Sequence, residues 1–338
     1  MITRTRARRG LRLLVAVAAL LLVLPGVVAA TLTIQFTGTA APWAKSTGHD
    51  ALWLGHMWVD GRKDAADVKA LAVRLRKTGI KDLYVHSGPF DLDGTLPPDK
   101  YAGAAAFLKE VRAQLPDVRV SAWLGQKVDG RLSLGDAAAR QRVLDGARAV
   151  MAVGYDGVHY NFEPVGDGDA GFLDLLDRTR QLLGKAPLSV STPQIEPFPL
   201  TRPAARLAIG HDKYWSPDYF KEVASRTDQV AIMTYDSYYP SALLYGGHVV
   251  RQGTLALDLV PDDRTVLIGA PAYHDHGVVW GDVAESVATA AQGARLALTS
   301  HGTRRELFGL ALYVDFAATA EDWKEYDESW LNPEPPGH

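Results

Sequence analysis

The chain contains no cysteine in its 338 residues. Disulfides, thiolate metal sites and a cysteine nucleophile are thereby excluded, and stability rests on packing. An excess of charge of one sign is also missing. Lys and Arg number 36 against 39 Asp and Glu, for a formal net charge of -3, and no nucleic-acid footprint follows from that balance. A glycine-rich G-x-G-x-x-G, the fingerprint of a dinucleotide site, does not follow the first β-rich run. With hydrophobic residues at 47% and charged residues at 22%, the composition is that of a globular protein.

The first thirty residues are a different material. Arg4, Arg6, Arg8, Arg9 and Arg12 precede an apolar run from Leu13 to Leu24, which Pro25-Gly26 breaks. Val28-Ala29-Ala30 then offers small residues at a cleavage position. This is the layout of a secretory signal, and positive charge before the run keeps the N-terminus inside. An uncleaved anchor fits as well, because Leu13–Ala30 approaches spanning length. Under either reading the body of the protein is extracytoplasmic, secreted or tethered to the membrane through this segment. Residues 31–50 read as a linker, and the Pro-rich stretch 332–338 reads as a flexible tail.

From residue 51 to 331, β-rich runs alternate with amphipathic segments. The runs are Ala51–Val59, Lys81–Ser87, Val118–Leu124, Gly157–Glu163, Leu188–Thr192, Gln229–Asp236, Thr265–Ala270 and Leu307–Asp315. Between them, Val68, Leu71, Ala72 and Leu75 fall at i, i+3, i+4 and i+7, and Ala104, Phe107, Leu108, Val111 and Leu115 share another face. Arg140–Val153 and Asp282–Thr299 read as further helices, and Trp323, Tyr326 and Trp330 as a packed face of the last one. This pattern predicts an α/β domain, a single (β/α)8 TIM barrel. An open doubly wound sheet alternates in the same way, but the missing glycine fingerprint removes its commonest reason.

In such a barrel, chemistry gathers at the carboxyl ends of the strands. Here those ends carry Trp58, His86, Trp123, Gln126, Asn161, Glu163, Gln194, Tyr235, Asp236, Tyr273 and Tyr313. Rings with polar handles suit a sugar, whose C–H faces stack while its hydroxyls find donors. The fourth run is the most informative. Period two puts Gly157, His159, Asn161 and Glu163 on one face and Val158, Tyr160 and Phe162 on the other. A polar row inside a barrel is costly unless satisfied, so it points to function.

At Asp156-Gly157 and Glu163 the chain resembles the family-18 chitinases, whose fourth strand reads D-G-φ-D-φ-D-φ-E; His159 and Asn161 stand where that family has aspartates. Met233-Thr234-Tyr235-Asp236 resembles the family's M-x-Y-D, Gly269-Ala270-Pro271-Ala272-Tyr273 its G-x-P-x-Y, and Gly309–Tyr313 its G-x-x-x-W with Tyr for Trp. The Asn161-Phe162-Glu163 form is also similar to the family-85 endo-β-N-acetylglucosaminidases, which carry N-x-E.

The resemblance implies substrate-assisted hydrolysis of a glycan containing an N-acetylhexosamine, the exception to the two-carboxylate rule. Glu163 becomes the acid and later the base, Asn161 the acetamide partner, Tyr235 the donor to the acetamido oxygen, and Asp236 a neighbour that tunes Glu163. His159, Trp123, Gln126, Gln194, Tyr273, Tyr313 and Trp58 are the expected substrate contacts, with His159 orienting Asn161 or Asp156. The partner is carbohydrate, and no cofactor or metal is implied. Two rivals remain: a carbohydrate-binding barrel without turnover, and a glycosidase pairing Glu163 with Asp236 or Asp315. His274-Asp275-His276 has the look of a metal-ligand pair, but its loop position favours a solvated role.

Overall fold

The computed structural model describes residues 25–128, 130, 132–274, 284–302 and 304–334. Eight parallel strands close into a barrel: β1 (Asp50–Leu54), β2 (Ile80–His86), β3 (Arg119–Lys127), β4 (Gly157–Glu163), β5 (Leu188–Thr192), β6 (Gln229–Ile232), β7 (Thr265–Pro271) and β8 (Phe308–Tyr313), with β8 pairing back to β1. The surrounding helices are α1 (Ala65–Leu75), α2 (Ala104–Gln114), α3 (Ala137–Val153), α4 (Ala170–Leu183), α5 (Thr201–Ile209), α6 (Pro217–Arg226), α7 (Ala242–Leu259), α8 (Val287–His301) and α9 (Ala320–Tyr326). Most start at a side chain that accepts from the first turn: Asp64, Asp136, Asp169, Ser216, Ser241, Ser286 and Thr319.

Strand alternation sorts the side chains into two cores. On β4, Val158, Tyr160 and Phe162 join the layer between barrel and helices. Inside, Ala51, Trp53, Tyr84, Trp123, Ala231, Leu267 and Ala311 form a smaller cluster. Strands β3 and β4 pair so closely at the mouth that a Cβ at Gly125 would lie 1.9 Å from the Asn161 carbonyl oxygen. Only glycine fits there.

Within the barrel, His159 is satisfied by polar groups of neighbouring strands. Trp53 Nε1 donates to His159 Nε2 at 3.1 Å, which fixes that nitrogen as an acceptor. The proton therefore resides on Nδ1 and points to Ser189 Oγ at 2.8 Å. Ser189 donates to the Tyr84 hydroxyl, Tyr84 to Gln229 Oε1, and Gln229 Nε2 to Asp82. Arg119 closes the string with a bidentate pair on Asp82 at 2.8 and 2.7 Å.

Near the foot of the barrel, Asp50 is fully buried and accepts four bonds. They come from Ser46 (2.6 Å), the Leu310 amide (2.8 Å), the Tyr326 hydroxyl (2.6 Å) and the Trp330 indole (2.8 Å). The expected packed face of the last helix is thereby realised in Tyr326 and Trp330, which also clasp this carboxylate.

The expected linker differs. Residues 25–36 are helical, Leu32 is fully buried, and Phe36 and Ala40 pack with Val250 and Leu296. A Cβ at Gly247 would meet the Leu32 carbonyl oxygen at 2.0 Å, so α7 receives this helix on a bare stretch of backbone. Ala41 N then bonds Thr299 Oγ1, and Arg295 bonds the Ala44 carbonyl. The segment wraps the barrel because its sparse apolar residues each find a groove, without needing a regular period. Residues 1–24, which hold the arginines and the apolar run, lie outside the described residues. Among the described residues no helix is long and apolar enough to cross a membrane.

Two strands end sooner than expected. β1 gives way to a 3-10 turn at His56–Trp58, and β6 stops at Ile232. Asp236 and Tyr238 adopt left-handed backbone, φ 52° and 62°, which no strand tolerates. Between β5 and α6 rises a lobe not foreseen from periodicity: Gln194–Ile195 pairs with Tyr214–Trp215, and α5 lies between them. Gln252 of α7 pins it by bonding both the Ile195 amide and its carbonyl at 2.7 Å.

Candidate active site

A cleft of about 430 Å³ opens where β4 and the β6–α7 loop face the lobe. Its walls include Asn161, Glu163, Gln194, Lys213, Tyr235, Asp236, Tyr238 and Tyr313. Five of these, Asn161, Glu163, Tyr235, Asp236 and Tyr313, are brought together from β4, the segment after β6 and β8, as strand order requires.

Glu163 ends β4 with its tip open to the cleft. Walled in on its other sides, its carboxyl is raised above the ordinary range chiefly by desolvation and further by the charge of Asp236, while the Asn161 amide and Lys127 pull it down. Asn161 is half-buried, and its Oδ1 has no hydrogen-bond partner. Gln194 donates to the Met233 and Tyr235 carbonyls, both at 3.2 Å, and its Oε1 is likewise buried without a partner. Both residues line the cleft, and both amide oxygens are shut in without a partner inside the protein.

Tyr235 is 6% exposed and stacks on Tyr313, with centroids 5.2 Å apart. Burial first, then neighbouring acidic groups, push its hydroxyl well above its ordinary value, so it is a neutral donor. Tyr273 does not line the cleft. It stands edge-on to Tyr235 and Tyr313 and donates to Asp236 Oδ1 at 2.6 Å. Beneath the turn, Glu285 accepts from the amides of Asp236 and Ser237 at 2.8 Å and from Ser237 Oγ at 2.6 Å. Glu285 thus holds the strained loop that presents Asp236, a role no spacing announced.

Other expected contacts fall elsewhere. His159 is fully buried in the barrel, stacks on Tyr84 at 3.8 Å, and bonds Ser189, Ser191 and Trp53, not Asn161 or Asp156. Desolvation pushes its pKa down to about 3, so it is a neutral core imidazole. Trp123 also points inward, against His86 and Tyr313. Gln126 is spent on the Phe90 carbonyl and the Lys127 amide. Trp58 lines a separate cavity between α1 and α2, packs on Phe107, and donates to Asp315 Oδ2 at 2.7 Å. Asp315 Oδ1 takes the Gly55 amide at 2.7 Å, so both of its oxygens are engaged away from the cleft. Asp156 does what a strand opener does, binding the Val120 amide and Arg112.

His274 bonds Asp322 at 3.0 Å, while Asp275 and His276 lie outside the described residues. Among the described residues no group of three His, Cys, Asp or Glu converges as a metal site.

No protein-family model matches the sequence, and no curated protein does. Solved structures do match. The spore cortex-lytic enzyme SleL of Bacillus cereus superposes with a TM-score of 0.58 at 15% identity, covering 85% of this chain and 75% of that one. A chitinase from Chromobacterium violaceum gives 0.57 at 13% identity over 84% and 99%. A mutant GH18 chitinase from Cycas revoluta in complex with (GlcNAc)4 gives 0.56 at 14% over 83% and 99%. The fold of this chain is that of a chitinase-like TIM barrel.

Proposed function

We propose that the chain is a glycoside hydrolase acting outside the cytoplasm on a glycan that contains N-acetylhexosamine. The observation that carries this is the buried, unpartnered Oδ1 of Asn161 beside a Glu163 whose carboxyl is raised by its surroundings. An acetamido N–H supplies the bond that Oδ1 lacks. With its amide held there, the substrate's acetamido oxygen attacks the anomeric carbon while Glu163 gives its proton to the departing glycosidic oxygen. Tyr235 donates to the acetamido oxygen. Glu163, now a carboxylate, removes a proton from the water that reopens the ring. The nitrogen keeps its proton, held by Asn161 Oδ1, so the ring formed is an oxazolinium that Asn161 steadies through that bond alone, without an opposing charge.

The names of the structural neighbours, chitinases and a cortex-lytic enzyme, support this class of reaction. A paired-carboxylate route has less to support it. Asp315 has both oxygens occupied, and Asp236 is held by Tyr273 on left-handed backbone. The layout of basic and apolar residues before residue 30 supports the outward location.

The test is mass spectrometry of the protein incubated with chitooligosaccharides, muropeptide glycan and a high-mannose glycopeptide. Glu163→Gln is expected to abolish turnover while glycan binding survives. Equal turnover by the wild type and Glu163→Gln would end the assignment.

A further inference from the structure

Lys213 is the only lysine or arginine among the described residues lining the cleft. It arrives from the lobe, just before the Tyr214–Trp215 ladder, whereas Glu163 arrives from β4. Its ammonium donates to the Ser237 carbonyl at 3.1 Å and stands 4.7 Å from the Tyr238 ring centroid. Among the described residues no carboxylate lies within the 4.0 Å ion-pair distance of it.

The neighbouring acids are held mostly by other donors, although Asp212 Oδ1 has no partner. Both oxygens of Glu285 hold the Asp236–Ser237 turn, and Asp236 Oδ1 takes Tyr273. Asp212 Oδ2 takes the Asp167 amide and Arg206. An ammonium has three donors, and the Ser237 carbonyl takes one of them. Desolvation already disfavours its charge, lowering its pKa, with Glu285 and Asp236 only partly opposing this. A sugar hydroxyl would accept a bond and leave the charge unneutralised. An anionic acceptor does both, at roughly twice the strength of a neutral one.

We infer that Lys213 forms a subsite for a carboxylate carried by the glycan, so that the substrate is an acidic N-acetylhexosamine polymer, substituted with a lactyl or a uronic acid group. This rests on the hydrolase reading of the same cleft. It divides the work between two sides: β4 reads the acetamide, and the lobe reads the acid.

The experiment measures equilibrium binding in the Glu163→Gln background, where turnover does not interfere. The probes are a GlcNAc tetramer and a tetramer alternating GlcNAc with N-acetylmuramic acid. The acidic tetramer is expected to bind about tenfold tighter, the order of one charge-assisted bond. Lys213→Met removes that ratio and Lys213→Arg keeps it. Methyl esterification of the carboxylates removes it without touching the protein, which covers the event that Lys213→Met fails to fold. No preference for the acidic tetramer, a preference that survives esterification, or one unchanged in Lys213→Met would each overturn the inference. A wild type that cleaves neither glycan yet shows the binding ratio would defeat the hydrolase reading and leave the subsite standing.

Discussion

Asp236 tunes Glu163 without touching it. Its negative charge is one of the two influences that raise the Glu163 carboxyl, burial being the larger. On the proposed mechanism Glu163 must still hold its proton at working pH, so activity is expected to fall on the alkaline side as it ionises. Removing the charge of Asp236 lowers the pKa of Glu163, and the alkaline limb then moves to lower pH. Asp236→Asn should show that displacement in a pH profile of kcat/KM, with the acidic side little changed. An alkaline limb that stays in place would mean that desolvation alone sets the acid. At this scale the strand-four reading succeeded where alternation and position coincide: Asn161 and Glu163 line the mouth together. It failed at His159, which shares their face. Two residues of strand rise drop a side chain below the cleft into the barrel, where His159 meets Ser189 and Ser191 instead of sugar. Face is legible from period two; depth is not.

Elements contribute unequally to holding the barrel shut. Asp50 joins residue 46, β1, β8 and the C-terminal segment through one buried carboxyl. Desolvation raises its pKa, with its hydrogen-bond donors opposing. Replacing it leaves the Tyr326 hydroxyl, the Trp330 indole and the Leu310 amide buried without an acceptor. Asp50→Ala is expected to cost about 3–5 kcal/mol, read as a lower urea midpoint at unchanged slope, with activity per folded molecule retained. The eight β-rich runs were visible because a barrel strand needs short apolar stretches at regular spacing. The lobe was not, since its strands are two residues long and α5 with its cap leaves Leu200, Leu207 and Ile209 exposed. No periodicity test resolves so brief a pairing. The left-handed turn at Asp236 was hidden for a different reason: it depends on Glu285, which arrives from a distant part of the chain.

Over the whole molecule, buried imidazoles set the response to acid. Burial pushes His159 and His248 down to about 3 and His86 to about 4. In the unfolded chain these groups protonate near pH 6.5. Their contribution to stability is therefore present above that pH and is lost as pH falls toward the folded values. Asp50, Glu163, Glu285 and Asp315 are raised by burial and act in the opposite sense, so a single variant isolates the effect best. His248 is fully buried on α7, and neither ring nitrogen has a partner. His248→Leu should add about 1–3 kcal/mol at pH 7.5 by removing unsatisfied polar atoms. Its advantage over wild type should widen by up to about 1.4 kcal/mol per unit below pH 6.5, measured by thermal melts across that range. A constant gap would show that the imidazole titrates alike in both states.

The docking of residues 25–36 on α7 shields the small residues that the sequence offers as a cleavage position. Val28, Ala29 and Ala30 are held in helical backbone, and two positions later Leu32 is sealed over Gly247. Peptidases grip an extended stretch, so scission at this place requires local unwinding first. Were the bond after Ala30 to be cut, the cut would come before the cylinder forms, since afterwards the bond is guarded by the free energy of peeling that helix away.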